Sequence, residues 1–303
     1  MSAELALIAD SVVRAIPLIL TGLAVALAFR AGVFNLGAEG QFLVGAAAST
    51  TASIKLAALP GVLTLAIALV AGTFAGAVWA GIAAELKRKY HVLEIISTIM
   101  LNFVALYLVS FLVRGPMQEP THIYPQTQAL AEAARLPMIL PGTRLHAGIL
   151  IAVGVAIVLY WILRETAAGF RIRATGASPR AAECAGMVDV RRLSWKVFVW
   201  SGAIAGLAGA IEVNGVTFAL YENISPGYGY TAIAVALIAG LNPLAVIPSG
   251  LFFGVLETGA SALQRDFSIP SSIAGMAEAL LILATLTFAS FRNRLIGLAG
   301  REH

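Results

Sequence analysis

Long apolar runs alternate with short polar, charged or glycine- and proline-marked stretches along the 303-residue chain. Nine runs stand out: Val12–Phe29, Phe34–Ile54, Gly61–Ala84, Ile95–Val113, Ala147–Leu163, Trp195–Val216, Tyr230–Ala239, Pro243–Leu263 and Ile273–Phe291. Most are about 20 residues long, the length of helix that crosses a hydrocarbon core of ~30 Å. A membrane β-barrel would alternate apolar and polar residues instead of running continuously. The pattern predicts an all-α, polytopic transmembrane helical bundle of about nine spans (eight to ten), a single domain over residues 1–303. The seventh run is short and lies among Gly227, Gly229 and Gly240, as a half-helix or a tilted one would.

Composition narrows the class. Hydrophobic residues make up 59% of the chain and charged ones 12%, about half the ~25% charge of a soluble domain. Mean hydropathy is +0.87. A soluble enzyme, a disordered chain and a nucleic-acid module are excluded, in spite of a pI near 9.4. A single cysteine, Cys184, permits no intrachain disulfide and no cysteine-based metal site. The acidic start, with no Lys or Arg before Arg14, does not read as a secretory signal.

The placement of the basic residues says more than their sum. Arg30, Lys87, Arg88, Lys89, the Arg164–Lys196 stretch and Arg292, Arg294 and Arg301 put 14 on one side, against Lys55, Arg114, Arg135, Arg144 and Arg265, 5 in all, on the other. The richer side is expected to be cytoplasmic. Nine spans then place the N-terminus outside and the C-terminus inside. The proline-rich loop Arg114–His146 falls outside, with a short surface helix expected near Gln128–Ala134. The loop Arg164–Ser194 falls inside.

That inner loop carries a capped helix in its sequence. Ser178 suits an N-cap, Pro179 the first helical position, and Gly186 a C-terminal stop. A two-turn helix of small residues is either a docking element for another protein or an idle surface turn. Glycine pairs four apart, Gly72/Gly76, Gly202/Gly206 and Gly250/Gly254, allow helix backbones to approach closely in lipid. Polar residues inside the runs are Asn35, Glu39, Gln41, Asn102, Glu212, Asn214, Glu257 and Glu278. Such groups either brace helices against one another or line a water-filled path. Asn35–Gln41 reads as a break between helical pieces, which only protein or a wet cavity tolerates at that depth, and is the best candidate for the path. Tyr221, Tyr228 and Tyr230 are interface anchors or parts of an outer gate.

The segment Arg30-Ala31-Gly32-Val33-Phe34-Asn35-Leu36-Gly37-Ala38-Glu39-Gly40-Gln41 resembles the signature of ABC-transporter permeases of the simple-sugar and nucleoside importer type, within the branched-chain amino acid/ribose permease superfamily. Glu94–Asn102, Gly176–Gly186, Ser225–Tyr230 and Ile269-Pro270 agree with it in order. The resemblance implies that the loop helix couples the permease to a separate ABC ATPase subunit. Its contact residues would be Gly176, Ser178, Pro179, Arg180, Ala181, Ala182, Ala185 and Gly186. Arg180 stands where an older form of the motif has Glu. Polarity at membrane depth makes Asn35, Glu39, Gln41, Asn102, Glu212, Asn214 and Tyr228 the candidates for lining the path. The resemblance further implies a second permease chain, homologous or identical, and an extracytoplasmic substrate-binding protein in the cytoplasmic membrane of a prokaryote. Relatives usually carry one more N-terminal helix, which fits the odd span count. No stretch reads G-x-x-x-x-G-K-[ST], so ATP is expected to bind the partner subunit and no cofactor this one. The rival from composition is an ion- or proton-coupled secondary transporter of the drug/metabolite type, for which internal repeats and short loops are expected.

Overall fold

The computed structural model describes residues 3–186 and 188–267, with 276, 279–280 and 283–284. Among them are ten α-helices: α1 Ala3–Arg30, α2 Ala38–Lys55, α3 Gly61–Tyr90, α4 Glu94–Arg114, α5 Gly148–Glu165, α6 Ala167–Ala177, α7 Pro179–Cys184, α8 Val190–Glu212, α9 Tyr228–Ile238 and α10 Pro243–Phe267. A single π-turn, Val213–Thr217, extends α8. The described residues hold only isolated β-bridges, Gln126 with Tyr221 and Met138 with His146.

Six helices are long and apolar enough to cross a bilayer: α1, α3, α4, α5, α8 with its π-turn, and α10. The expected count of nine spans is thus not reached among the described residues. α9 is short, as its glycine boundaries suggested. α2 is too rich in Ser, Thr and Gly to qualify, and lies buried against α3, α4 and α8. The ninth run, Ile273–Phe291, lies almost wholly outside the described residues, as do Glu278 and the motif residues Ile269-Pro270.

The core is built around α1, α2, α8 and α9. Ile16, Ile19, Leu20, Leu23, Phe42, Phe198 and Ile211 are fully enclosed there. The outer helices keep apolar faces exposed, Phe74, Tyr107, Phe111, Leu150 and Val255 among them. That is the surface a bilayer solvates. Glycines set the closest crossings. A Cβ on Gly76 or Gly202 would collide with the facing backbone of α8 or α3, and one on Gly45 with Gly206. Gly254 meets the Ser11 carbonyl of α1 in the same way.

The chain has two polar ends. At one, the α3–α4 turn, α6, α7, the start of α8 and Gly32 come together around a cavity. At the other, the 115–147 loop pairs with the chain after the π-turn, Thr127 N donating to Leu220 O (2.8 Å) and Leu130 N to Phe218 O (2.8 Å). The expected surface helix in that loop shrinks to one 3₁₀ turn, Glu132–Ala134. The inner loop is helical almost throughout. Thr166 caps α6, its hydroxyl accepting from Gly169 N (3.1 Å), and Asp189 caps α8, accepting from Arg192 N (3.0 Å).

Candidate translocation core and coupling helix

The backbone leaves helical geometry after Arg30. Gly32 takes φ +72°, a left-handed conformation that suits glycine. The chain then runs non-helical to Gly37 before α2 begins. Asn35 pins this break. Its Oδ1 accepts from Gly37 N (2.9 Å) and Gln41 Nε2 (3.0 Å), while its Nδ2 donates to Gln41 Oε1 (3.0 Å) and Ser201 Oγ (2.9 Å). Ser201 in turn donates to the Ala24 carbonyl of α1 (2.7 Å).

Asn102 of α4 closes the same stretch from the other side. Its Oδ1 accepts from Gly40 N (2.8 Å), and its Nδ2 donates to Leu36 O (2.9 Å) and the Tyr230 hydroxyl (3.3 Å). Glu39, in the first turn of α2, reaches the start of α9. Its Oε2 accepts from Gly229 N (2.7 Å), and the Ser225 hydroxyl bonds to the same carboxylate. Ser225 Oγ also accepts from Gly227 N (3.1 Å) and Tyr228 N (3.1 Å). One carboxylate therefore sits between two helix N-termini, where their dipoles favour negative charge. A Cβ on Gly229 would collide with the Glu39 backbone, so the two helix starts are in direct contact. Tyr228 packs edge-on against Phe42, with ring centroids 5.8 Å apart.

Asn214 lies in the π-turn, apart from this centre. It donates to Ser49 Oγ (2.6 Å) and Ala210 O (2.7 Å) and accepts from Ser53 Oγ (2.9 Å). Glu212 forms a third group, within electrostatic reach of Glu257, Arg14 and Arg144. Arg14 and Glu257 are themselves paired at 3.3 Å. The structure thus brings Asn35, Glu39, Gln41 and Asn102 together and leaves Glu212 and Asn214 elsewhere. It adds Ser201, which sequence reasoning did not single out, and it joins to them Ser225, Gly229 and Tyr230, which were read only as part of a motif, a helix boundary and an interface or gate residue. Serines within apolar helices are the one signal that could have raised the first.

α7 stands at the end opposite the 115–147 loop. The Ser178 hydroxyl accepts from Ala181 N (3.4 Å), Pro179 opens the helix, and Gly186 follows it at φ +65°. Arg180, Ala181, Glu183, Cys184 and Ala185 are exposed. Ala182 is only 4% exposed. It faces its own chain, which sets it apart from Ala181 and Ala185 among the contact residues that the resemblance implies. Gly176 is held by packing, since a Cβ there would collide with the Arg30 carbonyl.

A bundle of long apolar helices with buried polar breaks is that of a multi-pass helical membrane protein. The chain belongs to the family described as branched-chain amino acid transport system / permease component, whose model matches residues 7–289. It is 40% identical over 300 residues to a glucose ABC transporter permease protein of Haloferax volcanii, covering 96% of this chain and 78% of that one. It is 34% identical to a guanosine ABC transporter permease protein of Bacillus subtilis, over 92% of this chain and 81% of the other. A nucleoside ABC transporter permease protein of Lactococcus lactis is 30% identical, over 88% and 75%. No solved structure matches the chain. Members of this family are transport components rather than enzymes.

Proposed function

We propose that this chain is the translocation-path subunit of an ABC importer for a nucleoside or simple sugar, driven by a separate ATPase and paired with a second permease chain. A substrate-binding protein would deliver the cargo on the outer side of a prokaryotic cytoplasmic membrane. The observation that carries the reading is α7, a capped and largely exposed two-turn helix between two spans at the arginine-rich end. The glucose and guanosine permeases among its relatives support the cargo class. A neutral polyhydroxylated cargo needs hydrogen-bonding groups rather than fixed charge. In this reading the Asn35–Asn102 network sets the shape of the path, because its polar atoms are already committed to one another.

Two experiments test the proposal. In a Cys184→Ser background, cysteines at Ala177 and Gln128 report sidedness. An impermeant thiol reagent on intact cells should label position 128 and spare 177, and the reverse pattern would overturn the orientation. Ala185→Asp places a charge on the exposed side of α7. It should leave insertion intact, reduce co-purification of the ATPase, and lower uptake of labelled guanosine or glucose at least tenfold. Full co-purification with normal uptake would remove α7 as the coupling surface.

A further inference from the structure

A cavity of about 430 Å³ opens at the end that carries α7, but away from that helix. It is lined by the end of α1, the end of α5, α6 and the α9–α10 turn. Three guanidinium-bearing side chains line it: Arg30, Arg164 and Arg173, with Tyr160, Leu241 and Asn242 beside them. Among the described residues no carboxylate lines it. Arg164 is held by the Tyr160 hydroxyl and pairs with Glu165 at 3.4 Å. Among the described residues Arg173 Nη1 donates only to the Arg164 carbonyl, at 3.5 Å. Arg30 makes no side-chain hydrogen bond or ion pair among the described residues. Arg30 and Arg173 have no carboxylate partner among the described residues, and cations gathered at one cavity repel one another, so an anion is the complementary occupant.

We propose that this cavity binds a phosphate group, presented by the headgroup of an anionic phospholipid. Guanidinium is the side chain best matched to phosphate oxygens, which it can hold through paired N–H donors. The surroundings identify the lipid as the source. Trp161, next to Tyr160, is 59% exposed, and Phe170, at the start of α6, is 51% exposed. Leu244, just past the α9–α10 turn, is also exposed. Trp and Tyr side chains such as Trp161 and Tyr160 sit at the headgroup level of a bilayer. Basic pockets between membrane helices on the cytoplasmic side bind acidic headgroups. The orientation proposed above serves only to place the cavity in the inner leaflet.

The test needs neither ATPase activity nor cargo, so its failure is separable from failure of the importer reading. The full chain, with any subunits that co-purify, is titrated in detergent with phosphatidylglycerol, phosphatidylcholine or glycerol 3-phosphate. Retained ligand is counted by native mass spectrometry. Phosphatidylglycerol should be retained in preference to phosphatidylcholine. Arg30→Gln and Arg173→Gln should each weaken its binding about fivefold, the share of one cation near an acidic surface. Arg30→Lys, which keeps the charge, should lose less. Arg171→Gln removes an exposed charge outside the cavity and should change nothing. Equal losses for Arg171→Gln and Arg30→Gln, in monodisperse proteins, would reduce the effect to general surface charge and overturn the site. Retention of glycerol 3-phosphate with no preference for phosphatidylglycerol would overturn the lipid as its source.

Discussion

The break before α2 and the helix α7 are both short interruptions between long helices, and they are built in opposite ways. In the break, Asn35, Glu39 and Asn102 take hydrogen bonds from or give them to residues of α2, α8 and α9 and to the chain between α1 and α2. In α7, one hydroxyl cap and one inward alanine hold the helix, and most other side chains are exposed. Solvent explains the difference. Away from water an unpaired backbone group costs several kcal/mol, so a break at membrane depth must satisfy itself internally. At an aqueous end water satisfies the backbone, and the side chains stay free for another surface. Rigidity at the first place and availability at the second are what a path and a lever need.

The strongest way to break the comparison is at Gly229. Its missing side chain lets the starts of α2 and α9 touch, with Glu39 between them. Gly229→Leu must push the two helices apart and strip Glu39 of its Gly229 N–H. Overpacking typically costs about 1–3 kcal/mol, and a buried carboxylate deprived of a donor adds about as much again. The yield of monodisperse protein on size exclusion should fall at least tenfold. An unchanged yield would mean that the two helix starts are not locked together.

Ala182 sharpens the comparison on the other side. It is the one α7 residue turned into its own chain, so Ala182→Asp should act through stability, unlike Ala185→Asp, which should act through docking. A charge without a partner at that position should cost about 1–3 kcal/mol and lower the thermal midpoint. Ala185→Asp should leave the midpoint within about half a kcal/mol of the parent's stability, as exposed substitutions do. Equal midpoints for the two variants would return Ala182 to the exposed face.

These residues also mark what the sequence made legible. Apolar runs announce their helices because length and continuity suffice in a membrane, and α3, α4, α5, α8 and α10 follow the runs closely, while α1 begins well before its run at Val12. Glycine and asparagine made a break legible at Asn35–Gln41, but the chain is non-helical over 31–37 and α2 already begins at Ala38. The closure of the break was not legible, since Glu39 meets a backbone amide 190 residues away. α6 was read as loop because Arg171 and Arg173 stand in a weakly apolar stretch, although Thr166 was a usable cap signal. The inward turn of Ala182 was out of reach, for two helical turns carry too little periodicity to fix a face.

The smallest expected effect belongs to the opposite end, where Arg114 grips Glu222. Arg114 Nε lies 2.6 Å from Oε1 and Nη2 2.7 Å from Oε2, and the Ser110 hydroxyl donates to the same carboxylate. Arg114 and then Ser110 hold the Glu222 carboxyl well below the usual range, down to about 2. A depressed carboxylate stabilises the fold above its unfolded value of 4.5 and loses that contribution as pH falls through about 2. Between pH 8 and pH 5 the contribution is therefore constant. Glu222→Gln should lower the thermal midpoint slightly, by the same amount at pH 8 and pH 5. The difference should shrink when salt is raised, because Arg114 is exposed and its field is screened. A difference that shrinks from pH 8 to pH 5 would show that Glu222 is protonated in that range, and that Arg114 and Ser110 do not hold its carboxyl low.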